Sequence, residues 1–356
     1  MKTLLITACG LSSRFEGLRP KWLLTHPKGN IMLIEALSGL DFSQFDKICF
    51  SFLQEHFTEY ECLVGIKKAI SELGISDISE IHLFEERTKD QAETTYKSLK
   101  HFKIKGSFLV KEVDNYFEYD CTQQGNVVCY CDLNQTTKIN PTNKGYVIFN
   151  GENTIKEMVE KRVASTSFSC GAYQFESASL FNNAYEQLSK KTDGGLYLSK
   201  VIDFLIKKGE RFTGARVHNY LDWGTKEDWF DYCRQFATVF SDLDGTLLTS
   251  SGEYFKPYWE EAQPIQENID TLNELYDSGK TKIIITTARK KSAKEMTINQ
   301  LKKFNIKYDE IIFGLSHCQR ILINDFSTSN PYPSARALNI KRNNNNLNDF
   351  LQKPNL

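Results

Sequence analysis

The sequence predicts an α/β protein of two consecutive domains, and two features of its pattern carry that reading. Short apolar runs alternate with amphipathic stretches through the first half of the chain, as buried strands connected by helices require. At Ala237 the pattern restarts as strand, loop, helix, strand, helix and strand, so residues 1–236 and 237–356 read as two domains with almost no linker between them. A length of 356 residues supplies enough chain for both cores.

Taken in order, Thr3–Ile6, Ile48–Leu53, Ile81–Phe84 and Phe108–Val110 are the buried strands of the first domain. Gln91 opens a helix, and a further helix runs from Leu196 to Lys208, where Leu198, Val201, Ile202 and Leu205 recur at helical spacing before the stop at Gly209. A last helix follows Gly224 and Thr225 and ends near Phe236. In the second domain a helix begins at Pro264 with Ile265, Ile269 and Leu272 on one face. The run Asn343–Asn346 reads as the start of a mobile polar tail.

Bulk properties narrow the function. With 44 basic against 45 acidic residues, no overall field draws the chain to nucleic acid or to an anionic membrane. No stretch approaches the roughly 20 apolar residues of a membrane span, and the N-terminal apolar run breaks at Ser12-Ser13-Arg14, unlike a signal peptide. Nine cysteines without paired spacing suit free thiols, so a cytoplasmic location is expected. Cys129 and Cys131 lack the second pair that a zinc site needs.

The chemistry starts directly after the first strand, at Ala8-Cys9-Gly10-Leu11-Ser12-Ser13-Arg14-Phe15, with Pro20-Lys21 close behind. Small residues there let backbone N–H groups approach a phosphate chain, and Arg14 and Lys21 can neutralise its charge. Further along stand Gln91-Ala92-Glu93-Thr94-Thr95, then Lys111-Glu112-Val113-Asp114-Asn115-Tyr116-Phe117 after a strand, Glu160-Lys161, and Asp222-Trp223-Gly224-Thr225. In order and type these resemble the motifs of the sugar-phosphate nucleotidyltransferases, in particular a Gly-Leu-Ser-Ser-Arg-Phe variant of surface-polysaccharide enzymes, with Ser12 where a second glycine usually stands.

The resemblance implies a Rossmann-like domain with a mixed sheet and Mg²⁺-dependent transfer of a nucleotidyl group from a nucleoside triphosphate to a phosphorylated sugar or polyol, releasing pyrophosphate. The acceptor's phosphate oxygen is already a competent nucleophile, so catalysis there is positioning and charge neutralisation. By the same resemblance Asp114 and Asp222 hold Mg²⁺, Lys21 and Arg14 hold the triphosphate, and Ala8, Gly10, Leu11, Ser12, Ser13, Gln91, Glu93 and Thr94 line the nucleotide. Lys161 grips the acceptor phosphate and Glu160 its hydroxyls. CTP is the favoured donor, from similarity to enzymes handling polyol phosphates, with UTP and GTP next. A role in capsule or surface-glycan synthesis follows from the variant motif, and a homo-oligomer is compatible with it.

The second domain opens with Val239-Phe240-Ser241-Asp242-Leu243-Asp244-Gly245-Thr246, which resembles motif one of the haloacid dehalogenase superfamily. This implies a small capless Rossmannoid phosphatase in which Asp242 attacks phosphorus and Asp244 serves as acid and base. Thr287, at the end of Lys282–Arg289, looks like motif two, and Ile321-Leu322-Ile323-Asn324-Asp325 looks like motif four, with Asp325 joining Asp242 and Asp244 around a second Mg²⁺. The motif-three lysine is missing from Gly314-Leu315-Ser316-His317, with Arg320 as its possible substitute. A catalytically degenerate, structural second domain is therefore the alternative to a bifunctional enzyme. A glycosyltransferase on the same N-terminal fold is disfavoured by the Arg14 and Lys21 loop.

Overall fold

The computed structural model describes residues 1–10, 12–135, 139–191, 195–327, 330 and 334–352. Two compact units emerge, Met1–Trp229 and Phe230–Leu356. In the first, the elements run β1 (Lys2–Ala8), α1 (Met32–Leu37), β2 (Lys47–Leu53), α2 (Gln54–Tyr60), α3 (Leu63–Glu72), β3 (Ser79–Phe84), α4 (Gln91–His101), β4 (Ser107–Lys111), β5 (Asn115–Glu118), β6 (Asn126–Asp132), β7 (Gly145–Phe149), β8 (Ile155–Glu160), β9 (Ser167–Phe175), α5 (Ala178–Leu188), α6 (Leu198–Lys207), β10 (Phe212–Arg216) and β11 (His218–Asp222). α7 (Lys226–Cys233) spans the division between the units.

The main sheet is mixed. Its order among the described residues is β10-β6-β9-β4-β1-β2-β3, with β7 beside β9 and β8 beside β7. β1 pairs in parallel with both β2 and β4, and its apolar run Leu4, Leu5 and Ile6 is fully buried because core covers both faces. The order reverses beside β1, and a crevice at the carboxyl ends of such strands is where α/β sheets take ligands. The loops leaving β1 and β4 both open there. Helix α4 starts at the same end, its N-terminus capped by Asp90, whose Oδ1 accepts from Glu93 N at 2.8 Å.

Beside the sheet, β5 and β11 form a two-stranded antiparallel ribbon in which Asp222 lies opposite Asn115. The turn after α1 packs directly on this ribbon. A Cβ added at Gly39 would stand 2.2 Å from the carbonyl oxygen of Phe117, a backbone atom that cannot rotate away. Gly39→Ala is expected to cost about 2 kcal/mol of stability, read as a lower urea midpoint.

The second unit holds β12 (Ala237–Asp242), α8 (Gln266–Asp277), β13 (Thr281–Thr286), α9 (Lys294–Lys303), β14 (Glu310–Ile312) and α10 (Leu347–Gln352). Its sheet is parallel, in the order β12-β13-β14, over a core of Leu243, Leu247, Ile269, Leu272, Ile283, Ile285 and Leu301. Ile321–Ile323 forms no strand and its side chains are exposed, Ile323 by 90%, because an apolar run alone does not secure a pairing partner. One expectation is corrected here, that of a mobile tail at Asn343–Asn346. The asparagine run is not a free tail. Fully buried Asn268 donates to Asn344 O at 2.8 Å and accepts from Leu347 N at 3.0 Å, and Asn343 Oδ1 accepts from Ser250 N at 2.7 Å. Amide hydrogen bonds dock this segment, so hydrophobicity gives no sign of it.

Candidate active site

The loop after β1 is tied to the segment behind it. Ser12 is left-handed at φ +54°, a conformation glycine adopts without steric cost, and its carbonyl accepts from Phe15 N at 2.7 Å as Ser13–Phe15 turns through one 3₁₀ turn. Its Oγ accepts from the backbone N of Lys21 at 3.0 Å, so the Ser12 hydroxyl fixes the Lys21 backbone in place. Phe15 anchors the turn in the core while Ser13 and Arg14 face solvent. Ala8 is buried at the strand end, Gly10 has open space around its Cα, and Leu11 lies outside the described residues.

The loop after β4 brings in the carboxylates. Fully buried Lys111 donates to Glu112 O at 2.7 Å, to Asn115 O at 2.9 Å and to Asn115 Oδ1 at 2.7 Å, closing the loop around its ammonium. Asp114 is thereby presented beside Trp223, whose N–H donates to Asp114 O at 2.9 Å. The β5–β11 register then sets Asp222 next to it. A Cβ built on Gly224 would lie 3.2 Å from Asp222 Oδ1, 3.6 Å from Asp114 Oδ2 and 3.8 Å from Arg14 Nη1, so all three groups converge on one small cradle.

Each carboxylate has its own lysine: Lys21 Nζ stands 2.6 Å from Asp114 Oδ2, and Lys144 Nζ 2.6 Å from Asp222 Oδ2. Burial pushes the Asp114 carboxyl up, but Lys21, Arg14 and Lys144 outweigh it and hold the group well below the ordinary carboxylate range. Burial and the Asp114 charge push neighbouring Glu112 the other way. Because Asp114 is depressed, its stabilisation is complete above the ordinary value of 3.8 and fades as pH falls below it. The stability gap between wild type and Asp114→Asn is expected to be flat from about pH 5 to 8 and to shrink under about pH 4 in urea titrations.

On the other side of the crevice, β8 ends at Glu160, and Lys161 turns out at φ +53°. Glu160 Oε2 accepts from Ser199 Oγ at 2.5 Å, and Lys161 Nζ donates to Tyr197 OH at 2.6 Å. Lys161 N bonds to Lys144 O at 3.0 Å, which links this pair to the carboxylates through Lys144. At the head of α4, Gln91 Nε2 reaches Thr7 Oγ1 on β1 at 3.5 Å. Glu93 folds back on Lys89 N and Lys97, and buried Thr94 bonds to Thr88.

In the second unit, Asp242 ends β12 and accepts from Arg320 Nη2 at 2.9 Å, so the arginine reaches the carboxylate from the segment that lacks the expected lysine. Asp244 is clamped by buried Arg289 through two bonds of 2.9 and 2.7 Å and accepts from Ser251 Oγ at 3.0 Å. Thr287 is buried, and its Oγ1 accepts from Arg289 N at 3.1 Å. Asp325 stands apart from these contacts in the hydrogen bonds described: its backbone N donates to Asn324 Oδ1 at 3.1 Å. It follows the exposed Ile321–Ile323 run, and no group of three His, Cys, Asp or Glu able to hold a metal ion is assembled among the described residues.

Four residues that sequence reasoning left without a role stand among these groups: Lys144, Glu112, Tyr197 and Arg289. Lys144 precedes a strand in a stretch without motif, and only pairing across β7 and β8 reveals it. Arg289 closes the Thr286-Thr287-Ala288 string and heads the cationic run Arg289-Lys290-Lys291, so the sequence does not single it out from its neighbours.

No family model matches this chain, and no curated relative does. Among solved structures, a nucleoside-diphosphate-sugar pyrophosphorylase from Vibrio cholerae RC9 aligns with a TM-score of 0.54 at 20% identity, over 66% of this chain and 100% of its own. An inositol-1-phosphate CTP transferase from T. maritima gives 0.52 at 14%, over 64% and 91%. A UDP-glucose pyrophosphorylase complexed with UDP-glucose gives 0.51 at 14%, over 66% and 97%. The alignments cover the N-terminal part of the chain, and the mixed α/β fold of the first unit is the fold these enzymes share.

Proposed function

We propose that the first unit is a nucleotidyltransferase that joins a nucleoside triphosphate to a phosphorylated sugar or polyol with release of pyrophosphate. The observation that carries this reading is the convergence of Asp114, Asp222 and Arg14 on the Gly224 cradle, at the strand ends where the sheet order reverses. Two carboxylates and no soft ligand suit Mg²⁺, which takes one or two carboxylates and completes its shell with phosphate and water. Asp114 and Asp222 would hold the ion, which when bound supplies charge neutralisation on the phosphates.

The protein's own groups do the remainder. Lys21, fixed by Ser12, binds the α-phosphate; Arg14 binds the departing pyrophosphate; Lys161 and Glu160 hold the acceptor so that its phosphate oxygen lies in line. Ala8, Gly10 and Ser13 shape the phosphate loop, and Gln91 braces the head of α4 against β1. CTP as donor and a surface glycan as destination rest on sequence resemblance.

A panel of four triphosphates against phosphorylated sugars and polyols tests the reading. Pyrophosphate release with one donor and one acceptor supports it; orthophosphate alone, or no product, rejects it.

The second unit resembles a haloacid dehalogenase-type phosphatase in sequence, but its geometry favours the alternative, a unit with a structural role. Asp244 is fully engaged by Arg289 and Ser251, and a carboxylate clamped in this way is a poor proton donor. Orthophosphate release from sugar phosphates by the full chain, retained in Lys21→Met, would restore the bifunctional reading.

A further inference from the structure

We propose that Lys144 is the resident counter-cation of Asp222, occupying the divalent ion's side of that carboxylate and giving it up when the ion binds. The inference rests on the reading of Asp114 and Asp222 as metal ligands.

The occupancy of both carboxylates by lysines leads to it. Asp222 and Asp114 are each 2.6 Å from a lysine, and Arg14 faces the same cradle. Glu112 and Asp228 also act on these groups, so the obstacle to a divalent ion is occupancy: Lys144 Nζ, 2.6 Å from Asp222 Oδ2, covers an oxygen the ion must take. Lys21 is held at its backbone by Ser12 and faces the phosphate loop. Lys144 differs. Its side chain is 13% exposed, its ammonium lies 2.9 Å from Tyr220 OH, and the rings of Tyr220 and Phe168 stand 5.3 and 5.9 Å away. The ammonium makes these contacts while it pairs with Asp222, so it keeps a hydroxyl and aromatic faces as partners once Asp222 is released.

The backbone sets its destination. Lys144 O accepts from Lys161 N, so the two lysines leave adjacent strand ends on the side of Glu160. A lysine displaced from Asp222 therefore adds positive charge where the acceptor's phosphate is to sit, and metal occupancy and acceptor recognition become coupled through one side chain. An unpaired buried carboxylate between turnovers would be costly, and Lys144 removes that cost.

Metal binding in the absence of substrate tests the proposal. Mn²⁺ affinity is measured by electron paramagnetic resonance, and thermal melting is followed with and without Mg²⁺, in wild type, Lys144→Met, Lys144→Gln, Lys144→Arg and Asp222→Asn. Both neutral variants are expected to bind Mn²⁺ at least about ten-fold more tightly than wild type and to gain more in melting temperature from Mg²⁺. Lys144→Arg is expected to behave as wild type, and Asp222→Asn to lose the response. Equal metal affinity in wild type and the neutral variants overturns the role of Lys144 while leaving the metal site standing. No metal response in any variant overturns both. Should Lys144→Met fail to fold, Lys144→Gln, which keeps a donor for Tyr220, carries the comparison.

Discussion

Lys21→Met is expected to lower the rate of pyrophosphate formation about 10²–10³-fold while the protein stays folded. The ammonium lies 2.6 Å from Asp114 and its backbone is pinned by Ser12, so it is already oriented before any phosphate arrives. Preorganised charge of this kind stabilises the transition state without reorganisation, and its loss falls on kcat more than on substrate binding. Lys21→Arg is expected to rescue little, because a planar guanidinium cannot occupy the position of a compact ammonium beside Asp114. Single-turnover measurements separate the two effects; an unchanged kcat in Lys21→Met would remove this residue from the chemistry.

Lys111→Met is expected to cost about 3 kcal/mol of folding stability, since it strands three buried oxygen acceptors in the loop that presents Asp114. The dependence on pH has a definite sign. Burial pushes the Lys111 ammonium down to about 8 from its ordinary value of 10.5. Between those values the unfolded chain binds the proton and the folded one releases it, so this group's contribution to stability rises with pH. Urea midpoints should therefore show the deficit of Lys111→Met growing from about pH 8 toward 10.5. A deficit that shrinks over that window would mean that the charged form is the stabilising one.

The parts of the fold legible in the sequence are those set by local pattern. The runs at Thr3–Ile6 and Ile48–Leu53 had to be strands because their apolar residues are contiguous and short, and both lie in the parallel centre of the sheet. Leu198, Val201, Ile202 and Leu205 marked α6 by spacing alone. Asp114 and Asp222 stood out because each follows or ends a strand inside a recognisable string, although their meeting depends on a ribbon register that no local pattern encodes. Lys144 shows the limit from the other side. It joins the site through pairing of β7 with β8, a contact decided by the whole sheet. Asn343–Asn346 misled because amide hydrogen bonds can dock a polar segment that composition marks as free.

The proposed chemistry requires a divalent ion held by Asp114 and Asp222 opposite Arg14. Anomalous diffraction from crystals grown with Mn²⁺ and a non-hydrolysable triphosphate locates that ion directly. A peak bounded by both carboxylates, with the phosphates turned toward Lys21 and Arg14, is the predicted result. A peak elsewhere, with those carboxylates still paired to Lys21 and Lys144, would contradict it.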